Sequence, residues 1–222
     1  MGIKLVTIDV DGTLLNSQRQ ITQEVKTAIS QAKAQGVKIV VTTGRPYLGV
    51  VDLLRELSLT DPGDYVITYN GGMILAADTG AELKRTTLTY QDYLRIDDLA
   101  TTLGSASHAV TADRLYTGNR DVSPYTVEES FIAKVPMSFR TREEMAAEKT
   151  IIKMMLVGEA DALDQTIRQI PPDIKTAYTT VSSSPNFFEI LNKKASKGQG
   201  LTQLAKILDI PLAETMAIGD AE

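Results

Sequence analysis

Asp9-Val10-Asp11-Gly12-Thr13-Leu14 follows directly on the largely apolar run from Ile3 to Ile8. That run predicts a buried strand, so the two carboxylates sit at a strand end with a glycine turn behind them. On an extended chain positions i and i+2 face the same way, and both carboxyl groups can then converge on one bound group. In an open α/β sheet, ligands bind at this end of the strands. The pattern fits phosphoryl transfer with an aspartate nucleophile better than any other in the chain.

Three further polar groups fall at expected strand ends or helix starts, each suited to a phosphate. Thr43-Gly44-Arg45 offers a hydroxyl, backbone N–H groups and a close approach over glycine. Lys197, just before Gly198, can neutralise charge on a transferring group. Gly219-Asp220 supplies a third carboxylate, and Mg²⁺ takes one or two carboxylates together with water and phosphate. Each also has an ordinary reading. Thr43-Gly44-Arg45 is a plain strand-to-helix turn, Asn70-Gly71 is a strong turn signal, Lys197 is a solvated surface lysine, and Asp220 is a helix cap. It is their joint placement that favours a phosphate site.

The elements that must position these groups alternate. Residues 3–8 read as a strand, Thr22 to Gln35 as a helix stopped by Gly36, and Val37 to Thr42 as a strand. Tyr47 to Leu57 reads as a helix and Tyr65 to Thr68 as a third strand. This β-α-β-α-β order implies a parallel sheet. The rhythm then changes. Met73 to Leu88 reads as short strands around an Asp78-Thr79-Gly80 turn, 90–103 as helix, and 108–139 as strands and irregular loops. Ile151 to Val157 and Phe187 to Leu191 read as strands, with a helix from Ala160 to Ile170. A helix from Gly198 to Leu208 and a strand from Thr215 to Ile218 resume the first pattern. The expected division is a core of 1–82 and 190–222, with an α+β domain of 83–189 inserted.

Bulk properties narrow the function. The 222 residues carry a net charge of −5, and no basic patch speaks for a nucleic-acid partner. With no cysteine there is neither a disulfide nor a thiolate metal site. Lys4 and Asp9 interrupt any signal-peptide core, and no stretch reaches the ~18 apolar residues of a membrane span. The expectation is a soluble cytoplasmic protein. No G-x-G-x-x-G follows the first strand, which disfavours dinucleotide binding. His108, the single histidine, reads as an ordinary residue of the inserted domain.

The set Asp9-Val10-Asp11-Gly12-Thr13-Leu14, Thr43-Gly44-Arg45-Pro46, Tyr69-Asn70-Gly71, Lys197-Gly198 and Gly219-Asp220 resembles the haloacid dehalogenase superfamily, in its Cof-type sugar-phosphatase branch. The resemblance runs the whole chain and implies a Rossmann-like α/β core with a type C2B cap. It implies Asp9 as nucleophile and Asp11 as acid, then base. Mg²⁺ would be held at Asp9, Asp11 and Asp220. Lys197 would serve catalysis, and Thr43, Gly44, Arg45 and Asn70 would bind phosphate or substrate. The implied partner is a small phosphorylated metabolite. In the cap, Tyr116, Asn119 and Arg120 are expected near the leaving group, with surface packing an equal alternative.

The family pattern continues beyond Gly219-Asp220 with an Asn-Asp pair and further elements, whereas this sequence stops at Glu222. On that reading the core is C-terminally truncated, activity is weak or lost, and an exposed sheet edge favours self-association. Two alternatives to a phosphatase stand: a phosphomutase with the same nucleophile, and a phosphate-binding module without turnover.

Overall fold

A computed structural model describes residues 2–220, and Met1, Ala221 and Glu222, the outer ends of the expected core segments, lie outside it. The chain forms two compact units, Met1–Arg85 with Ser196–Glu222, and Thr86–Ala195. The second is inserted in the first, as the resumed pattern implied. Its limits fall at 85/86 and 195/196, so the expected limits of 82/83 and 189/190 are corrected. Residues 82–85 pair within the first sheet, and a strand of the second runs on to Asn192.

In the first unit β1 (Leu5–Asp9), β2 (Lys38–Thr42), β3 (Tyr65–Thr68), β4 (Met73–Ala76), β5 (Glu82–Arg85) and β12 (Thr215–Ile218) form one sheet. Its order is β12-β1-β2-β3-β4-β5. The first four are parallel, while β4 and β5 turn back antiparallel, so the sheet is mixed rather than wholly parallel. Helix α1 (Gln23–Ala34) starts where the Thr22 hydroxyl accepts from Val25 N–H, and Gly36, at φ 83°, ends the run. The helix expected over 47–57 is broken. A single turn at Tyr47–Gly49 precedes α2 (Val51–Glu56), with Val50 out of helical geometry between them.

Helix α8 (Lys197–Ile207) buries Leu201, Leu204 and Ala205 against Leu5, Val40, Ile67 and Ile74 of the sheet. Each leucine, isoleucine or valine among them contributes about 1.5–3 kcal/mol by leaving water. Gly200 makes the contact possible, because a Cβ there would lie 2.7 Å from Ile67 Cγ2.

The second unit contains α3 (Tyr90–Thr102), β6 (Ala106–Val110), β7 (Leu115–Thr117), α4 (Pro124–Ala133), β8 (Met137–Phe139) and α5 (Arg142–Met145). After these come β9 (Lys153–Val157), α6 (Ala160–Gln169), α7 (Pro172–Ala177), β10 (Tyr178–Ser184) and β11 (Phe187–Asn192). Its sheet order is β10-β11-β9-β6-β7-β8, antiparallel except for β7 with β8. Helix α4 corrects the reading of 108–139 as strands and loops. One sheet face, with Met154, Leu156, Phe188 and Ile190, packs against Ile96 and Leu99 of α3, Leu163 of α6 and Ile174 of α7. No helix among the described residues is long and apolar enough to cross a membrane.

Candidate active site

The strand order places β1 between β2, which follows it in the chain, and β12, which comes last. Chain order therefore reverses at β1, and its C-terminal end opens at a topological switch point. Asp9 is the last residue of that strand and is buried, at 6% exposure. Asp9 Oδ1 accepts from Val10 N–H at 2.7 Å, while Oδ2 pairs with the Lys197 ammonium. Lys197 stands in the first turn of α8, whose start is fixed by the Ser196 hydroxyl accepting from Gln199 N–H at 3.1 Å. The pair thus brings together two residues 188 positions apart.

After Asp9 the backbone winds through one wide turn, Val10–Leu14, closed by Leu15 N–H to the Val10 carbonyl at 3.0 Å. Val10 and Leu14 are buried and anchor the turn, which lifts Asp11 outward. Within it only Asp11 and Gly12 leave helical geometry. Helical Val10 interrupts the extended run, so the expected i, i+2 convergence of the carboxylates on one face is corrected. The Asp11 side chain is 59% exposed, against 8% for Asp9, and grips Arg45 instead. Arg45 Nε donates to Asp11 Oδ2 at 3.0 Å and Nη2 to Oδ1 at 2.5 Å. Arg19, which the sequence reading overlooked, lies 3.9 Å from the same carboxylate.

Gly12 is at φ 79°, and a Cβ there would stand 2.3 Å from Asp220 Oδ2. The position is closed to other residues by conformation and by space. Asp220 follows β12, whose Ile218 is in register with Ile8 of β1. Its Oδ1 accepts from the Thr13 hydroxyl at 3.3 Å. Thr13 was part of the recognised motif, though not singled out for this role.

At the end of β2, Thr43 N–H donates to the Ile67 carbonyl at 2.9 Å, and the Thr43 hydroxyl accepts from Arg45 N–H at 3.1 Å. The hydroxyl therefore closes the turn, as the ordinary reading had it, and retains a proton to donate. Asn70 adopts φ 52°, ψ 39°, and its N–H donates to the Thr43 carbonyl at 2.9 Å. Its amide lies over Gly44, where a Cβ would come within 3.1 Å. Gly71, at φ 88°, leaves room for the Ser196 carbonyl, 2.1 Å from where its Cβ would be. Asn70-Gly71 thus joins the turn after β2 to the start of α8. Ser196 carries a capping signal that the sequence displays, Ser-x-x-Gln.

The five elements β1, β2, β3, β12 and α8 so collect Asp9, Asp11, Thr43, Gly44, Arg45, Asn70, Lys197 and Asp220 at one edge of one sheet. No cluster of three acidic or histidine side chains able to hold a metal occurs among the described residues. With Asp11 turned to Arg45, it does not join a carboxylate trio with Asp9 and Asp220. Asp9 and Asp220, on neighbouring strand ends, fit a hard cation that keeps several waters and a phosphate oxygen as ligands.

In the second unit Asn119 Oδ1 accepts from Ser107 N–H at 3.0 Å and ties its loop to β6. Tyr116 lies under the Arg140 guanidinium, 5.7 Å from the ring centre, and Arg120 is exposed. His108 is buried, with Nδ1 3.1 Å from the Thr126 hydroxyl, and burial lowers its pKa to about 3. The sequence reading had it as an ordinary residue of the inserted domain; the structure places it in the core of the second unit.

Comparison with known proteins identifies the family. The family model for haloacid dehalogenase-like hydrolases matches residues 6–222. "Putative phosphatase M6_Spy0533" of Streptococcus pyogenes serotype M6 is 48% identical over 222 residues, all of this chain and 82% of that protein. "Putative phosphatase YxeH" of Bacillus subtilis is 44% identical over 217 residues, covering 98% and 80%. A haloacid dehalogenase-like hydrolase from Bacteroides thetaiotaomicron superposes with a TM-score of 0.75 at 25% identity, over 98% of this chain and 82% of that one. On the family model and these likenesses, the chain belongs to the haloacid dehalogenase-like hydrolases.

Proposed function

We propose that this protein is a phosphatase for small phosphomonoesters, sugar phosphates among them, working through an aspartyl-phosphate. The observation that carries the reading is the Asp9–Lys197 pair at the switch point of the sheet. A carboxylate attacking a phosphate must approach an anion, and an ammonium at hydrogen-bond range offsets that repulsion. An Asp9 oxygen forms a bond to phosphorus as the ester P–O bond breaks. Asp11 delivers a proton to the departing alkoxide, then takes one from the water that cleaves the acyl-phosphate. One carboxyl cannot be both nucleophile and proton donor, which gives the pair its purpose. Lys197 and the Thr43 hydroxyl hold the equatorial oxygens, with the Asn70 amide supporting the turn beneath them. Mg²⁺, for which Asp9 and Asp220 are the candidate ligands, would supply charge neutralisation to the phosphate.

The test is phosphate release from a panel of sugar phosphates and an aryl phosphate, with Mg²⁺, with EDTA and with Asp9→Asn. Turnover that requires both the metal and Asp9 supports the reading. Isomerised sugar phosphate in place of free phosphate would make the protein a mutase. Binding of orthophosphate without any turnover would make it a binding module.

A further inference from the structure

The Asp11–Arg45 contact poses a difficulty for the chemistry just described. An acid–base carboxyl must turn an oxygen toward the leaving group. Both Asp11 oxygens are instead engaged by one guanidinium, Nε on Oδ2 and Nη2 on Oδ1. This two-point fork is the strongest geometry a carboxylate finds with a side-chain cation. A phosphate presents the same fork of oxygens with more charge, so it can take the place of the carboxylate on Arg45.

The backbone of Arg45 is held on both sides of its Cα, and its guanidinium reaches Asp11 from there. Its N–H donates to the Thr43 hydroxyl at 3.1 Å, and its carbonyl accepts from Tyr69 N–H at 3.3 Å. It follows Thr43-Gly44 directly, the turn to which the proposed function assigns the phosphate. Its side chain is 27% exposed, against 78% for Arg19, which lies farther from Asp11 at 3.9 Å. Arg45 is therefore the ordered partner and Arg19 the loose one.

We propose that Arg45 is a substrate-operated latch: it holds Asp11 away from the reaction until an arriving phosphate draws the guanidinium off and frees the carboxyl. Arg45 is then a positioning residue for Asp11 as well as a phosphate contact. The proposal rests on the phosphatase reading above, and adds that phosphate and Asp11 compete for one cation.

Competition is measurable as a binding cycle. Orthophosphate affinity is determined by calorimetry, with Mg²⁺ and at fixed pH, for the native chain, Asp11→Asn, Arg45→Gln and the double variant. If the latch is closed about nine-tenths of the time, Asp11→Asn tightens binding by about tenfold. Arg45→Gln weakens binding, and in its background Asp11→Asn changes little. Arg45→Lys, which keeps the charge without the fork, gives a smaller Asp11 effect than the native chain. Circular dichroism checks that each variant is folded. Equal tightening by Asp11→Asn in both Arg45 backgrounds would mean plain charge repulsion and overturn the latch, as would unchanged affinity in Arg45→Gln. Those results beside Asp9-dependent turnover reject the latch alone, whereas neither turnover nor orthophosphate binding in the native chain rejects both readings.

Discussion

In the first unit Asp9 and Lys197 meet where strands end; in the second, Lys153, Glu129 and Glu189 meet on the face of a sheet. Lys153 Nζ lies 2.8 Å from Glu189 Oε1 and 3.4 Å from Glu129 Oε1, and all three side chains are at most 7% exposed. Glu189 and His108 are both in register with Met155, two residues along β9 from Lys153, so these groups share one face. Helix α4 contributes Glu129 and Thr126 over that face. Burial holds the Glu129 pKa above its ordinary value, against the pull of Lys153. Charges at strand ends stay within reach of a ligand, and Lys197 keeps about a third of its side chain exposed. Charges buried under a helix are out of reach of a ligand, and their burial is a cost that pairing must offset. The same residue types therefore read as a reaction centre in one unit and as internal structure in the other.

Four substitutions test that contrast, from the largest effect down. Asp9→Asn should lower turnover by at least ~10⁴-fold while leaving the melting temperature nearly unchanged, since it removes a nucleophile at a strand end. Lost stability with retained turnover would reverse the assignment. Lys153→Met should do the opposite to the second unit. Leaving two buried glutamates without their cation costs roughly 3–5 kcal/mol, visible in chemical denaturation.

His108 adds a pH signature. Its folded pKa, about 3, lies below the ordinary 6.5 because of burial first and Lys153 second. The unfolded chain therefore takes the proton first. Stability from this group is full above pH 6.5 and is lost as pH falls from there toward 3. The loss is on the order of 3 kcal/mol by pH 4. Denaturation at a series of pH values should show a shallower acid slope in His108→Asn. Gly12→Ala should cost about 1–2 kcal/mol through its φ of 79°, and should cut turnover by displacing Asp220. A variant as stable and active as the native chain would mean that Asp220 is free to move aside.

Much of the first unit was legible because its signals are local. Apolar runs of strand length, Gly36 after a helix and Thr22 before one are choices made within a few residues. Helix α4 was not legible, although Ser123 and Pro124 mark its start. Its apolar pattern is inverted: Phe131 is 79% and Ile132 50% exposed, while Thr126 and Glu129 are buried. A periodicity argument assumes that polar residues face water, and a buried ion cluster breaks that assumption. The helix read over 47–57 failed for a smaller reason, the break at Val50 after Gly49.

The sequence by itself determined which residues gather at the site, because strand ends and helix starts are local features and parallel strands share one carboxyl edge. Only the tertiary structure decided who pairs with whom. The turn from Val10 to Leu14 sends Asp11 to Arg45 and leaves Asp9 to Lys197, and it brings Asp220 against Gly12. Those partners lie 34, 188 and 208 positions apart in sequence. Over such separations the packing of the sheet, not the spacing of residues, fixes which charges come within a few ångströms.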